Sequence, residues 1–312
     1  MQTTPVTLGK IRLDNNIFLA PLAGYTNYAF RRLCKGYGAG LCYTEMVSAK
    51  GLKYGSENTQ ELLYTDECEG ICAAQIFGNE PDTMRLACEH EKLAPFPIVD
   101  INMGCPVPKI YKNGEGSALL DNPSLAEKIV QACVKSGKMI TVKIRIGLTD
   151  KKLITAEFAK RMAGAGASLI TVHGRTKDKV YAGEVNYKEI AAAKAAVQVP
   201  VIANGGVFSN ADAEKLMEET GADGVMVARA ALSNPQIFCE LTGKRGESKR
   251  EMFEKQTLWT RAICDERFTT VFMRKMAAFY IKGERGAAAY KDRLFKAQTP
   301  DEILSITREM WQ

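Results

Sequence analysis

Cys105 stands between Gly104 and Pro106 at the head of a long irregular stretch, Pro106 to Asn122, which also carries Lys109, Lys112, Asn113, Gly114 and Gly116. Long loops in compact domains usually serve a site. A thiol placed there supports two chemistries. Beside a histidine it becomes a nucleophile, whereas an unperturbed thiol, with a pKa of about 8.5, stays protonated at neutral pH and can act as a general acid. Spacing alone leaves both open. Lys143 lies in Thr-Val-Lys-Ile-Arg at 141 to 145. In a strand its side chain takes the face opposite to Val142 and Ile144. A lysine buried in this way needs an anion. It can form a Schiff base, stabilise a developing negative charge or pair with a carboxylate. His173 ends Leu-Ile-Thr-Val, and its place beside Gly174 and Arg175 favours a ligand-facing ring, whereas His90 reads as surface. With only these two histidines in the chain, mechanisms that need a histidine cluster are nearly excluded. Asn204 is followed by Gly205 and Gly206, and Ala228 by Arg229. Bare backbone N–H groups can approach an anion and a guanidinium can add a charge-assisted bond, so the two motifs together point to a phosphate.

Short apolar runs carry these residues: Ile17–Ala20, Leu41–Glu45, Ile71–Phe77, Pro97–Ile101, Met139–Arg145, Leu169–Val172, Val201–Ala203 and Gly224–Ala228. Helical patterns separate them at Tyr28–Lys35, Glu80–Lys92, Ser124–Lys135, Ile154–Ala163, Tyr187–Ala196 and Asn210–Glu219, with a shorter one near Glu57–Leu63. Strands that are apolar throughout and alternate with amphipathic helices indicate a parallel sheet covered on its faces. No Gly-x-Gly-x-x-Gly fingerprint follows the first strand, so the expected class is α/β, a (β/α)8 TIM barrel rather than an open doubly wound sheet. Catalytic groups in such a barrel come from the C-terminal strand ends, where Gln75 and the residues above all fall. After Gly243, Gly246 and Ser248 the spacing is helical without strand runs, at Phe253–Cys264, Val271–Ile281, Ala287–Phe295 and Asp301–Met310. The expected division is a barrel at 1–242 and a small all-helical C-terminal domain at 243–312.

The 312 residues, 46% hydrophobic and 25% charged, exclude a disordered or low-complexity chain. No apolar run approaches the roughly 18 residues that cross a bilayer, and residues 1 to 13 lack a basic segment followed by an apolar one. The expected location is cytoplasmic, with no membrane association. Nine cysteines, an odd number without a Cys-x-x-Cys pair, argue against a disulfide framework or a zinc ribbon, so no metal is expected. The net charge of +6 is concentrated late: Lys244 to Lys296 holds fourteen basic and seven acidic side chains. Such an excess suits a polyanion partner.

Taken together, the chain resembles the bacterial tRNA-dihydrouridine synthases, nearest their B-type branch. The likeness rests on Ala-Pro-Leu-Ala-Gly at 20 to 24, Gln75, Asn-Met-Gly-Cys-Pro at 102 to 106, Gly-Ser-Ala-Leu-Leu at 116 to 120, Val-Lys-Ile-Arg at 142 to 145, His-Gly-Arg-Thr at 173 to 176 and Asn-Gly-Gly at 204 to 206. Met-Arg-Lys-Met-Ala-Ala-Phe-Tyr-Ile-Lys-Gly at 273 to 283 is similar to the signature of that family's RNA-binding domain. The resemblance implies an FMN-dependent enzyme that reduces the C5=C6 bond of selected tRNA uridines, with NADPH recharging the flavin. It places Pro21, Leu22 and Ala23 along the isoalloxazine, Gln75 on its polar edge, Lys143 near N1 and O2, and His173 beside it. Asn204, Gly205, Gly206, Ala228 and Arg229 would hold its phosphate. Asn102 would contact the uracil, and Cys105 would give a proton to C5 while flavin N5 gives hydride to C6. Arg145 and Arg175 would contact RNA or phosphate, and Arg274 and Lys275 would contact RNA. Two positions depart from the pattern: Gly206 stands where relatives often have Asp, and Ala228, with its added methyl, where they often have Gly. The rivals are a dihydroorotate dehydrogenase-like flavoprotein, which has little use for a basic appendage, and a non-catalytic RNA-binding barrel. Nothing in the sequence calls for an obligate protein partner.

Overall fold

The computed structural model describes residues 3–57, 59 and 62–312. Part of the helix expected near Glu57–Leu63 lies outside the described residues. Eight strands, β1 (Ile17–Leu19), β2 (Cys42–Ser48), β3 (Cys72–Phe77), β4 (Ile98–Met103), β5 (Met139–Arg145), β6 (Ile170–His173), β7 (Val201–Asn204) and β8 (Gly224–Val227), form one parallel sheet. Their order is β1-β8-β7-β6-β5-β4-β3-β2, and the Phe18–Leu41 bridge between β1 and the approach to β2 closes the ring. This is the (β/α)8 TIM barrel expected.

The alternation along each strand decides what faces where. Val99, Ile101, Val142, Ile144 and Val172 belong to the large core between barrel and helices, while Phe18, Leu41, Tyr43, Ala73, Ile98, Leu169, Ile202 and Met226 form a second core inside the barrel. An N-terminal hairpin, Val6–Leu8 paired with Ile11–Leu13, adds Val6, Leu8 and Leu13 to that inner core. Each such side chain contributes about 1.5–3 kcal/mol by leaving water. The hairpin is too short to register as a periodic run, and it was not expected.

Strand ends run further than their apolar composition indicates. β4 continues through Asn102 to Met103, and β6 and β7 include His173 and Asn204. Polar side chains that composition assigns to loops therefore sit on strand backbone. The stretch from Pro106 to Asn122 holds a short helix, Pro108–Lys112, and a 3-10 turn, Gly116–Asp121.

Behind the strands, helix Tyr28–Gly36 starts where the Asn27 side chain accepts from Phe30 N–H. It buries Arg31 completely against Glu69, whose Oε2 accepts at 2.9 Å, while the Arg31 guanidinium also donates to the carbonyls of Thr26 and Tyr64. This pair ties the loop leaving β1 to the segment entering β3.

After β8 come short helices Arg229–Ser233 and Ile237–Thr242, the latter ended by Gly243 at φ +70°. Four more follow: Lys249–Ile263, Glu266–Tyr280, Ala287–Lys296 and Pro300–Met310. The first begins four residues before the expected Phe253, because Ser248 and Glu251 form a capping box rather than an interruption. Helix Lys249–Ile263 packs on Tyr28–Gly36 and Glu266–Tyr280 on Arg229–Ser233, so this layer covers the barrel near the β1 and β8 ends. Among the described residues no helix is long and apolar enough to cross a membrane.

Candidate active site

One cavity of about 290 Å³ opens at the C-terminal ends of the strands. Every expected residue of the catalytic and cofactor sets lines it: Cys105, Pro21, Leu22, Ala23, Gln75, Lys143, His173, Asn204, Gly205, Gly206, Ala228 and Arg229. Asn102, Arg145 and Arg175 line it too. Arg274 and Lys275 do not. Sequence reasoning missed Tyr25, Val107, Val180, Tyr181, Val207 and Phe208, apolar or aromatic side chains whose loops carry no periodic signal, and Met46 and Met226, apolar residues within β2 and β8.

Strand register assembles the polar floor. Gln75 pairs with Asp100, Asn102 with Lys143, and His173 with both Arg145 and Asn204. Lys143 Nζ donates to Asn204 Oδ1 at 2.9 Å, and Asn204 Nδ2 donates to the Met226 carbonyl at 2.8 Å. Asn204 therefore presents its oxygen to the lysine and aims the ammonium. Burial, with Arg145 adding repulsion, pushes Lys143 down to about 8, against which the Asp100 carboxylate acts. Burial pushes Asp100 up to about 6, opposed by hydrogen bonds from Thr141 and Gln75. His173 is held well below its usual value by burial and by Lys143, Arg145, Arg175 and Arg229, so its ring is neutral at pH 7.

Cys105 is half-buried, and burial pushes its thiol up, so the protonated form prevails at neutral pH. The two cations closest to it electrostatically, Arg145 and Lys143, are too weak to reverse this. Among the described residues Cys105 makes no hydrogen bond to a histidine, the usual activator of a thiol nucleophile. The Cys105 carbonyl accepts from Ser117 N–H at 3.1 Å and Ser117 Oγ–H at 2.8 Å, which fixes the start of the loop. The Asn102 Oδ1 accepts from Gly104 N–H at 3.1 Å and Cys105 N–H at 2.9 Å. Its oxygen is thereby occupied, and its Nδ2 donates to Gln75 Oε1 at 2.9 Å and lies 3.6 Å from Met46 Sδ, so the one N–H that Asn102 can turn to a ligand is the one on this weak thioether contact.

The arginines organise the mouth. Arg145 donates to the carbonyls of Gly104 (2.9 Å), Thr176 (3.0 Å) and Val180 (2.8 Å), and Arg175 holds the Gly183 carbonyl with two N–H groups. They fold residues 176–183 over one wall, with Val180 at φ +51°, a rare conformation for a β-branched residue. Arg229 lies 4.7 Å from the Tyr181 ring centroid and 5.9 Å from that of Phe208. Gly205 and Gly206 adopt φ +122° and +75°, and a Cβ on Gly205 would meet the His173 ring at 3.1 Å. Only glycine fits there.

Outside the cavity, Lys275 donates to the Gly24 carbonyl and sits 4.3 Å from the Tyr25 ring centroid, while Glu45 accepts from Gly24 N–H. Tyr25 also meets Phe279 edge-on at 5.5 Å. The helix Glu266–Tyr280 is thus fastened to the loop bearing Pro21, Leu22 and Ala23. Arg274 donates to the Ala297 carbonyl and lines a separate groove with Arg267 and Val271.

Comparison with known proteins follows the same lines. Solved structures share the fold at low identity: morphinone reductase (TM-score 0.57, 14% identical, covering 79% of this chain and 90% of that one) and an old yellow enzyme homologue from Zymomonas mobilis (TM-score 0.58, 13%, covering 78% and 93%). Sequence relatives are nearer. A probable tRNA-dihydrouridine synthase 1 of Synechocystis sp. is 38% identical over 96% of this chain and 87% of its own. The tRNA-dihydrouridine synthase B of Pasteurella multocida is 39% identical over 74% of this chain and 70% of its own. The family model described as dihydrouridine synthase (Dus) matches residues 18–310, and the chain belongs to that family.

Proposed function

We propose that this chain is a cytoplasmic, FMN-dependent enzyme that uses NADPH to reduce the C5=C6 bond of uridines in tRNA. The observation that carries the reading is a single cavity in which a protonated thiol, an amide offering N–H and a buried ammonium meet a glycine-lined anion cradle. The fit to FMN is chemical. The left-handed Gly205 and Gly206, with Ala228 and Arg229 across the next strand end, suit a phosphate. The apolar Pro21, Leu22 and Ala23 suit a flat ring, with Gln75, Lys143 and the neutral His173 meeting its polar edges. Bound there, FMN would accept electrons from NADPH and supply a hydride to uracil C6.

The chain's own residues do the rest. Lys143, aimed by Asn204, sets a positive charge where negative charge develops. Asn102 donates N–H to a uracil carbonyl and turns the ring. Cys105 holds a proton on Sγ and gives it to C5, a role that its raised pKa supports. Arg145 and Arg175 shape the mouth and bring positive charge to it, while Arg274, Lys275 and the rest of residues 243–312 form the tRNA-binding domain. Drawing a uridine out of its stack costs a few kcal/mol, less in a loop than in a duplex, so loop uridines are the natural substrates. The test is direct: incubation of unmodified tRNA with the protein, FMN and NADPH yields dihydrouridine. A protein that oxidises dihydroorotate and leaves tRNA unchanged contradicts the reading.

A further inference from the structure

Beneath the cavity floor lies a carboxylate that the proposed chemistry does not use. Asp100 is completely buried in β4, at the same parity as Asn102. Its Oδ2 accepts from Gln75 Nε2 at 2.7 Å and its Oδ1 from Thr141 Oγ1 at 2.6 Å. Gln75 Oε1 in turn accepts from Asn102 Nδ2 at 2.9 Å, and Asn102 Oδ1 accepts from the N–H groups of Gly104 and Cys105. The six groups make one chain of hydrogen bonds that runs from the barrel interior to the backbone of the cysteine loop.

The direction of that chain is fixed at both ends. Backbone N–H groups can only donate, so Asn102 must turn its oxygen to them. An ionised carboxylate can only accept, so Gln75 must turn its nitrogen to Asp100. The middle bond then joins the remaining nitrogen of Asn102 to the remaining oxygen of Gln75, so that each link pairs a donor with an acceptor and each amide keeps a second N–H outside the chain. Without an acceptor at position 100, Gln75 loses the contact that orients it, and Asn102 loses a partner fixed in space. An isolated buried carboxylate is destabilising, and an apolar residue would fill the same volume without that penalty.

We propose that Asp100 is a positioning residue that, through Gln75 and Asn102, holds the backbone of Gly104 and Cys105 and so places the Cys105 thiol. The inference rests on the reading of Cys105 as proton donor, and its test includes a readout that does not.

Alkylation of Cys105 by iodoacetamide, followed by mass spectrometry of its peptide, reports the loop in the folded protein without substrate. In Asp100→Leu the rate of alkylation rises at least about fivefold, and kcat for tRNA uridine reduction falls at least about tenfold with the KM for tRNA unchanged, as expected when a reacting group is misplaced rather than a binding contact removed. Asp100→Asn keeps an oxygen for Gln75 and an N–H for Thr141, and it restores both quantities to near the wild-type values. Should Asp100→Leu fail to fold by circular dichroism, Gln75→Met breaks the same chain one link on and gives the same rise in alkylation. Unchanged alkylation in folded variants overturns the proposal, as does an Asp100→Asn enzyme as impaired as Asp100→Leu, which would make the charge and not the hydrogen-bond direction the working feature. A wild-type protein that reduces no tRNA uridine refutes the proposed function instead, and leaves the alkylation series to judge Asp100.

Discussion

Lys143 makes the proposed cofactor site depend on pH in a way that can be calculated. Its ammonium, pushed down to about 8 chiefly by burial, is charged at pH 7 and mostly neutral at pH 9. If FMN binds the charged form, the observed Kd scales as one plus ten to the power of pH minus 8, a rise of about tenfold between pH 7 and 9, or about 1.4 kcal/mol. Quenching of flavin fluorescence on titration with apoprotein measures this at pH 7, 8 and 9. Lys143→Met is the control: its Kd is higher at pH 7 and flat across the range. The apoprotein moves oppositely. A lysine whose folded value lies below the unfolded value of about 10.4 releases its proton on folding, so apo stability gains as pH rises from about 8 to about 10.4, and Lys143→Met raises apo stability at pH 7. A Kd that rises equally in Lys143→Met, or does not rise at all, refutes the role given to this ammonium.

Other perturbations follow from single contacts. Gly205→Ala forces a Cβ to 3.1 Å from the His173 ring at φ +122°; strain of about 1–3 kcal/mol appears as a lower Tm and weaker FMN binding. Glu69→Gln leaves the wholly buried Arg31 without its anion, which costs about 3–5 kcal/mol by urea unfolding. An unchanged midpoint would remove the pair from the account of the β1 loop. Lys275→Met cuts the link from helix Glu266–Tyr280 to the Gly24 carbonyl, so amide exchange quickens across residues 21–26 while that of the β5 strand does not change.

Much of this site is visible in the sequence because a barrel turns linear pattern into position. Once an apolar run is a strand, its last inward residues face the mouth, and Gln75, Lys143, His173 and Asn204 follow from parity. Polarity marks Asn102 as lying past the end of its strand, yet hydrogen bonding across β4 and β5 continues regardless of side-chain polarity. Asp100 lies inside the apolar run Pro97–Ile101, and an acidic residue two positions before Asn102 inside Ile-Val-Asp-Ile is a readable sign of an inward carboxylate. Ser248 looked like a break and is a cap, since an N-cap is polar for the same reason that a loop is. Tyr181, Phe208 and Met46 could not be found in this way. They reach the cavity through loop conformation and a shift in the β2 register, which depend on contacts far apart in sequence. The anchoring of Lys275 on Gly24, 251 positions away, is of the same kind.

The central claim is that Cys105 gives up a proton to a uridine held in this cavity. Stopped-flow measurement on Cys105→Ala tests it most directly, by following flavin reduction by NADPH and then reoxidation by tRNA in the same sample. The account predicts reduction at the wild-type rate and reoxidation slowed by about 10²–10⁴-fold, the range lost with a general acid. Reoxidation by tRNA at the wild-type rate would contradict it.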